Sequence, residues 1–261
     1  MIQTLSSAPS PQTSQDPSVD IAHVVVVIPA CDEEDSIVEC LQSVAAARRR
    51  LPAEVSCSVT VVADRCTDRT VSRALAALAG GDGDVVLESN AGIVGTARHL
   101  GVECALLDLG VEPRRVWIAN TDGDTVVPPD WLTTHLDIAR SGAIGAAGVV
   151  ELRELALCRT DLVELFDRTY LRRPDGTHPH VHGANMGCRA DAFRAAGGWN
   201  PLATGEDHDL WNRLRRVGPV TASTALTVTT SARLVGRAPA GFAANLAALD
   251  RELEDLRQTV A

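Results

Sequence analysis

"HVVVVIPA", residues His23 to Ala30, is an unbroken apolar run that ends in a Pro-Ala turn. Four consecutive valines leave no polar side for solvent. Such a run suits a strand covered on both faces, the usual condition inside a parallel sheet. Downstream the chain alternates. Glu34 to Arg49 has Ile37, Leu41 and Val44 at helical spacing, and "VSCSVTVVA" (Val55 to Ala63) is a second strand. Thr67 is placed to cap a helix running through Val71, Leu75 and Leu78. "DVVLES" (Asp84 to Ser89) is a third strand, a helix follows from about Gly92 to Leu109, and "RVWIAN" (Arg115 to Asn120) is a fourth strand. This order predicts an α/β fold: one domain with a mostly parallel central sheet, right-handed crossovers and helices on both faces.

Ligands on such sheets bind beyond the carboxyl ends of the strands. "CDEED" (31–35), "ADRCTD" (63–68) and "NTDGD" (120–124) fall at those ends. Three acidic groups aimed at one crevice repel one another unless a cation or ligand neutralises them.

Past Leu132 the rhythm loosens. Ala143 to Leu152 is a candidate strand, Thr160 to Arg172 a helix, and Arg172 to Asn185 a polar loop with Gly and Pro. Met186 to Trp199 gives a short strand and helix, and Gly205 to Gly218 a helix that opens behind two carboxylates. Ala243 to Gln258 is amphipathic, with Leu246, Leu249, Leu253 and Leu256 on one stripe. That stripe is expected to pack onto the domain, with a homodimer contact as the alternative.

Composition narrows the chemistry. All 24 basic residues are arginine, which excludes a lysine Schiff base and the lysine of a P-loop. A net charge of −10 argues against nucleic acid as a partner. The 7 cysteines contain no C-x-x-C pair, so reduced thiols are expected in place of a zinc cage or disulfide framework. Residues 1–21 form a Ser/Pro/Gln-rich stretch expected to be a disordered tail. No apolar run approaches the roughly 20 residues of a transmembrane helix, so a cytoplasmic location is the expectation.

Asp122-Gly123-Asp124 is the sharpest signal. Two carboxylates around a glycine at a strand end suit a hard cation. The same letters, with Thr125, suit a haloacid-dehalogenase-like phosphatase, whose first aspartate attacks phosphate. In that family the pattern closes the first strand and a lysine steadies the phosphate. Here three strand–helix units precede it, and there is no lysine.

Taken together, the motifs resemble family 2 glycosyltransferases of the GT-A fold, over about Val24 to Val217. "VVVVIPACDEEDSIVECLQSV" is similar to that family's opening strand, with Asp32 where asparagine is usual. "VVADRCTDRT" resembles its second-strand motif, with Ala63 replacing the first of two aspartates. "NAGIVGTARHLGVECA", "NTDGDT", "HGANMGCRADAFRAAGGW" and "GEDHDLWNRL" resemble, in order, its donor-side helix, D-x-D, acceptor-side segment and base-carrying ED motif. The resemblance implies transfer of a sugar from a nucleotide-sugar donor to an acceptor hydroxyl, by inversion. The domain (22–240) is expected to divide into a nucleotide-binding half, about 22–127, and an acceptor half, about 128–240, with the amphipathic stretch 241–261 as a terminal helix. Acceptor and sugar stay unidentified.

Each residue then has an expected task. Asp124 ligates Mn²⁺ or Mg²⁺, and Asp122 reaches the ribose or the metal through water. Pro29, Ala30, Asp32, Glu33, Asp64 and Arg98 line the donor site, although Glu33 would equally serve as a first-turn acid of a helix. Arg233 or Arg237 clamps the diphosphate. Asp207 is the base, with Glu206 second. His182 and Asn185 lie near the acceptor. His178, His180 and His182 alternate and in a strand would share a face fit for zinc, but Pro179 favours a loop. The rival readings are a sugar nucleotidyltransferase, which usually has a glycine-rich opening loop and a lysine, and a non-catalytic nucleotide-sugar-binding module, which would lack the ED pair.

Overall fold

The computed structural model describes residues 19–81, 83–153, 160–234, 236 and 241–260. Residues 1–18 of the expected tail, Cys158 and Arg237 lie outside the described residues, as does the side chain of Leu256. The chain begins as its pattern predicts: β1 (His23–Ala30), α1 (Ile37–Arg48), β2 (Ser56–Asp64), α2 (Thr70–Leu78), β3 (Val85–Ser89), α3 (Val94–Leu106) and β4 (Val116–Asn120). It continues with α4 (Trp131–Arg140), β5 (Gly145–Arg153), α5 (Thr160–Thr169), β6 (Met186–Arg189), α6 (Ala190–Ala195), α7 (Glu206–Val217), β7 (Val220–Ser231) and α8 (Phe242–Val260).

One 7-stranded sheet results, in the order β3-β2-β1-β4-β6-β5-β7. Pairings β1–β2, β1–β4, β2–β3 and β5–β7 are parallel, while β6 runs antiparallel to both β4 and β5. The valines of β1 explain why the sheet is covered twice. Val24, Val26 and Ile28 face a core built with Leu41 and Val44 of α1 and Leu132 and Leu136 of α4. Val25 and Val27 face the opposite core, with Val102 of α3, Phe193 of α6 and Leu214 of α7. Each of these β1 residues is fully buried, which contributes about 1.5–3 kcal/mol per side chain. Helix α3 lies close to the sheet because Gly101 carries no side chain. A Cβ there would sit 2.6 Å from Val27 Cγ1 and 2.8 Å from Val62 Cγ2.

One local expectation changes, and two elements appear that the pattern did not predict. Thr67 does not cap α2: Arg69 holds the N-cap position without a side-chain bond, and Thr67 donates its N–H to Asp32 instead. Helix α4 and strand β7 were not legible in the chain. β7, "VTASTALTVTTS", is an edge strand with most residues half-buried, so it carries no strong apolar alternation. Helix α8 packs on its own domain: Leu246 is buried, Leu249 rests against the same core, and Phe242 meets Phe166 of α5 edge to face. Among the described residues no helix is long and apolar enough to cross a membrane.

Candidate active site

The carboxyl ends of β1, β2 and β4 open into one cleft of about 530 Å³, closed from the other side by the start of α7, the end of β7 and the first turn of α8. Pro29, Ala30, Glu33, Asp64, Arg98, Asp122, Asp124, His182, Glu206 and Asp207 all line it. The acidic strand ends do converge.

Local chemistry fixes each group. After β2, Arg65 adopts a left-handed backbone (φ 57°) and turns the chain away, leaving Asp64 at the cleft. Asp64 Oδ2 accepts the Gly92 N–H at 2.8 Å. Its Oδ1 is buried with no hydrogen-bond partner among the described residues. A buried acceptor without a donor is costly unless a ligand supplies one. The D-G-D turn lies directly on the end of β1, since a Cβ at Gly123 would come within 3.2 Å of both Ala30 Cβ and Glu33 Cγ.

Two arginines organise the acids. Arg98, 3% exposed, donates from Nη2 to Asp122 Oδ1 and from Nη1 to Glu206 Oε1, both at 2.7 Å. Burial alone would depress its guanidinium, but Asp122 and Glu206 outweigh it and hold it above its ordinary value. Arg233, from the residues after β7, donates from Nη1 to Glu33 Oε1 at 2.7 Å and reaches Asp124 Oδ2 from Nη2 at 3.2 Å. Burial pushes Asp124 up to about 6 despite the opposing pull of Arg233, and Asp122 and Glu33 add to the rise. An all-oxygen donor set, already drawing a guanidinium as counter-charge, fits a divalent cation such as Mg²⁺ or Mn²⁺. Asp124, with Asp122 or Glu33, would hold it.

Glu206 and Asp207 differ sharply. Gly205 (φ 74°) starts α7 and sends Glu206 inward to Arg98. Asp207 is only half-buried; its Oδ2 accepts the Gly183 N–H at 3.1 Å and its Oδ1 the His208 N–H at 2.8 Å. His182 accepts or donates at Nε2 to the Tyr170 hydroxyl (2.7 Å), and burial, foremost, lowers it to about 3, so it is neutral near pH 7. Successive rings of His178, His180 and His182 stack 6.0 Å apart, with Nε2 of the first two on the carbonyls of Ala147 and Leu171. Parallel stacked rings with separate partners do not converge on a zinc ion.

Two expected site residues are absent from the lining. Asp32 adopts a left-handed backbone (φ 52°), and its Oδ1 accepts N–H groups of Thr67 and Asp68, so it braces the β2–α2 loop. With Cys66 and Asp68 it forms the one cluster among the described residues whose ligand atoms lie within 4.8 Å, but both its carboxylates serve backbone donors. Asn185 is fully buried and spent. Its Nδ2 donates to Val149 O and Leu226 O, and its Oδ1 accepts from Trp131 Nε1, which ties β5, β7 and α4 together. Lining residues that sequence reasoning missed include Arg65, Thr230, Phe242 and Asn245. Those of α8 carried no polar signal beyond Asn245.

A model of the glycosyltransferase-like family 2 matches residues 22–253. The chain belongs to that family. No curated protein sequence matches it. Solved structures share its fold, two of them with nucleotide sugars bound. Residues 1–349 of S. aureus TarS, in complex with UDP-GlcNAc, align at TM-score 0.60 and 13% identity, covering 84% of this chain and 61% of that one. The mannosyltransferase PcManGT from Pyrobaculum calidifontis, in complex with GDP-Man and Mn²⁺, aligns at TM-score 0.59 and 16% identity, covering 87% and 61%. The chain thus spans about three-fifths of those two solved chains, and about a third of the longer TarS structure (36%). At such identity the likeness establishes the fold alone, a GT-A-type α/β sheet flanked by helices.

Proposed function

We propose that this chain transfers a sugar from a nucleoside-diphosphate sugar to an acceptor hydroxyl, with inversion and with help from a divalent cation. The observation that carries the reading is the meeting, in one cleft, of the D-G-D turn, the orphan oxygen of Asp64 and the half-buried carboxylate of Asp207. Asp64 Oδ1 is suited to accept a nucleobase N–H or a ribose hydroxyl, the donor it lacks. Nucleotide-sugar complexes of proteins sharing the fold, one of them with Mn²⁺, support the same assignment.

A divalent cation, when bound, offsets negative charge on a departing diphosphate. The chain's own residues do the rest. Asp207 accepts the acceptor hydroxyl's proton as that oxygen attacks the anomeric carbon, and the Gly183 N–H holds its carboxylate in place. Glu206 is unsuited to that task, because its carboxylate is buried and ion-paired to Arg98. Arg98 connects Asp122 to Glu206 and so fixes the donor side of the cleft against the start of α7. His182, neutral and bound to Tyr170, presents an uncharged ring near the acceptor.

The test has two stages. Thermal shift against UDP, GDP and their sugars identifies the donor, and the stabilisation should be larger with Mn²⁺ than with chelator. Turnover is then compared in wild type and Asp207→Asn. Nucleotide affinity should stay within a few-fold, while transfer falls by about 10²–10⁴-fold. Full activity in Asp207→Asn refutes the assignment of the base; absence of any nucleotide-dependent shift refutes the donor reading itself.

A further inference from the structure

Arg233 sits where a cation belongs. Its guanidinium spans Glu33 Oε1 (2.7 Å) and Asp124 Oδ2 (3.2 Å), two largely buried carboxylates of the acidic turn cluster. The side chains of Glu33 and Asp124 are 9% and 10% exposed, and that of Arg233 is 31% exposed. The arginine therefore lies on the open side and covers both acids from the cleft. We infer that Arg233 is a resident counter-cation for Glu33 and Asp124 and must swing off Asp124 before that carboxylate can ligate a divalent cation, so that metal and nucleotide enter together.

The inference rests on the metal-dependent reading above and adds an order of binding to it. The same Asp124 oxygen cannot be taken up by the guanidinium and directly ligate a metal without bringing two positive charges into contact. Free Mn²⁺ alone has to displace an arginine that then loses one of its two paired anions. A metal–diphosphate complex supplies one: the released fork pairs with phosphate oxygens, for which guanidinium geometry is well matched. The exchange needs only side-chain rotamers. The Arg233 backbone is held to the end of β7, where its N–H donates to Ser231 Oγ at 3.3 Å, so only the side-chain torsions have to change for the guanidinium to leave Asp124. A lysine would not bridge two carboxylates in this way, since its ammonium is a single point charge.

Mn²⁺ binding is measured by the loss of the free-ion EPR signal, on wild type, Arg233→Gln and Arg233→Lys, first without nucleotide and then with saturating UDP or GDP. Without nucleotide, Arg233→Gln should bind Mn²⁺ at least about 10-fold more tightly than wild type. Adding the nucleotide should tighten wild type more than the variant and reverse their order, with Arg233→Lys between them. Melting curves confirm that each protein is folded before titration. Equal Mn²⁺ affinities without nucleotide in wild type and Arg233→Gln overturn the exchange and leave the metal reading standing. If neither protein takes up Mn²⁺ in any condition, the metal reading fails and the exchange with it.

Discussion

Removing the Arg98 guanidinium tests the core of the site without reference to any substrate. Arg98→Met keeps the length and apolar stem of the side chain and deletes its charge. Two carboxylates then lose their partner. Glu206, 9% exposed, is stranded in the protein, whereas Asp122, 33% exposed, can still turn to water. Breaking a buried pair by removing one partner costs about 3–5 kcal/mol, and the relief available to Asp122 sets the expectation near the lower end, about 3 kcal/mol. With a urea m-value of about 3 kcal/mol/M, the unfolding midpoint by circular dichroism should fall by about 1 M. The triple change Arg98→Met, Asp122→Asn and Glu206→Gln removes all three charges and should recover most of that loss, since no uncompensated charge is left. A single variant within about 0.5 kcal/mol of wild type, or a triple variant no better than the single, refutes the clasp as a buried electrostatic unit.

His135 predicts an acid limit to stability. It is fully buried, accepts from Trp117 Nε1 at 3.2 Å, and burial lowers it to about 3 from an ordinary 6.5. Its folded value lies below its unfolded value, so the unfolded chain takes up a proton first and stability drops as pH falls below 6.5. At about pH 5 that one histidine costs roughly 2 kcal/mol, so His135→Gln should narrow the stability gap between pH 7 and pH 5 by about that amount in urea melts; an unchanged gap contradicts the buried neutral ring. Gly101→Ala should cost about 1–3 kcal/mol, because its methyl meets Val27 and Val62 at 2.6 and 2.8 Å; an unaffected melting temperature would show that α3 can ride away from the sheet.

Much of the chain up to β4 was legible because its signals are local. The valine run of β1 predicts a strand covered on both faces whatever packs against it, and the strand ends that follow carry the carboxylates Glu33, Asp64, Asp122 and Asp124. The ED pair is likewise a local signature of a helix start. Where the sequence misled, a side chain was polar for a structural reason. Asp32 and Asn185 have the right chemistry for ligands, yet each carboxylate or amide is engaged by structural partners, backbone groups and, for Asn185, the Trp131 indole. Nothing in one chain's letters separates a spent polar group from a presented one.

Alternation of apolar runs and acidic turns, then, determined the mostly parallel sheet, the edge where its acids gather and the oxygen-rich chemistry there, since strand burial and turn formation depend on near neighbours in the chain. Tertiary structure alone decided which arginine meets which acid. Arg98 lies 24 and 108 positions from Asp122 and Glu206, and Arg233 lies 200 positions from Glu33. Such pairings exist only once β7 closes the sheet's far edge and α7 turns its first residues inward, because charge at these separations interacts through space and leaves no period in the sequence.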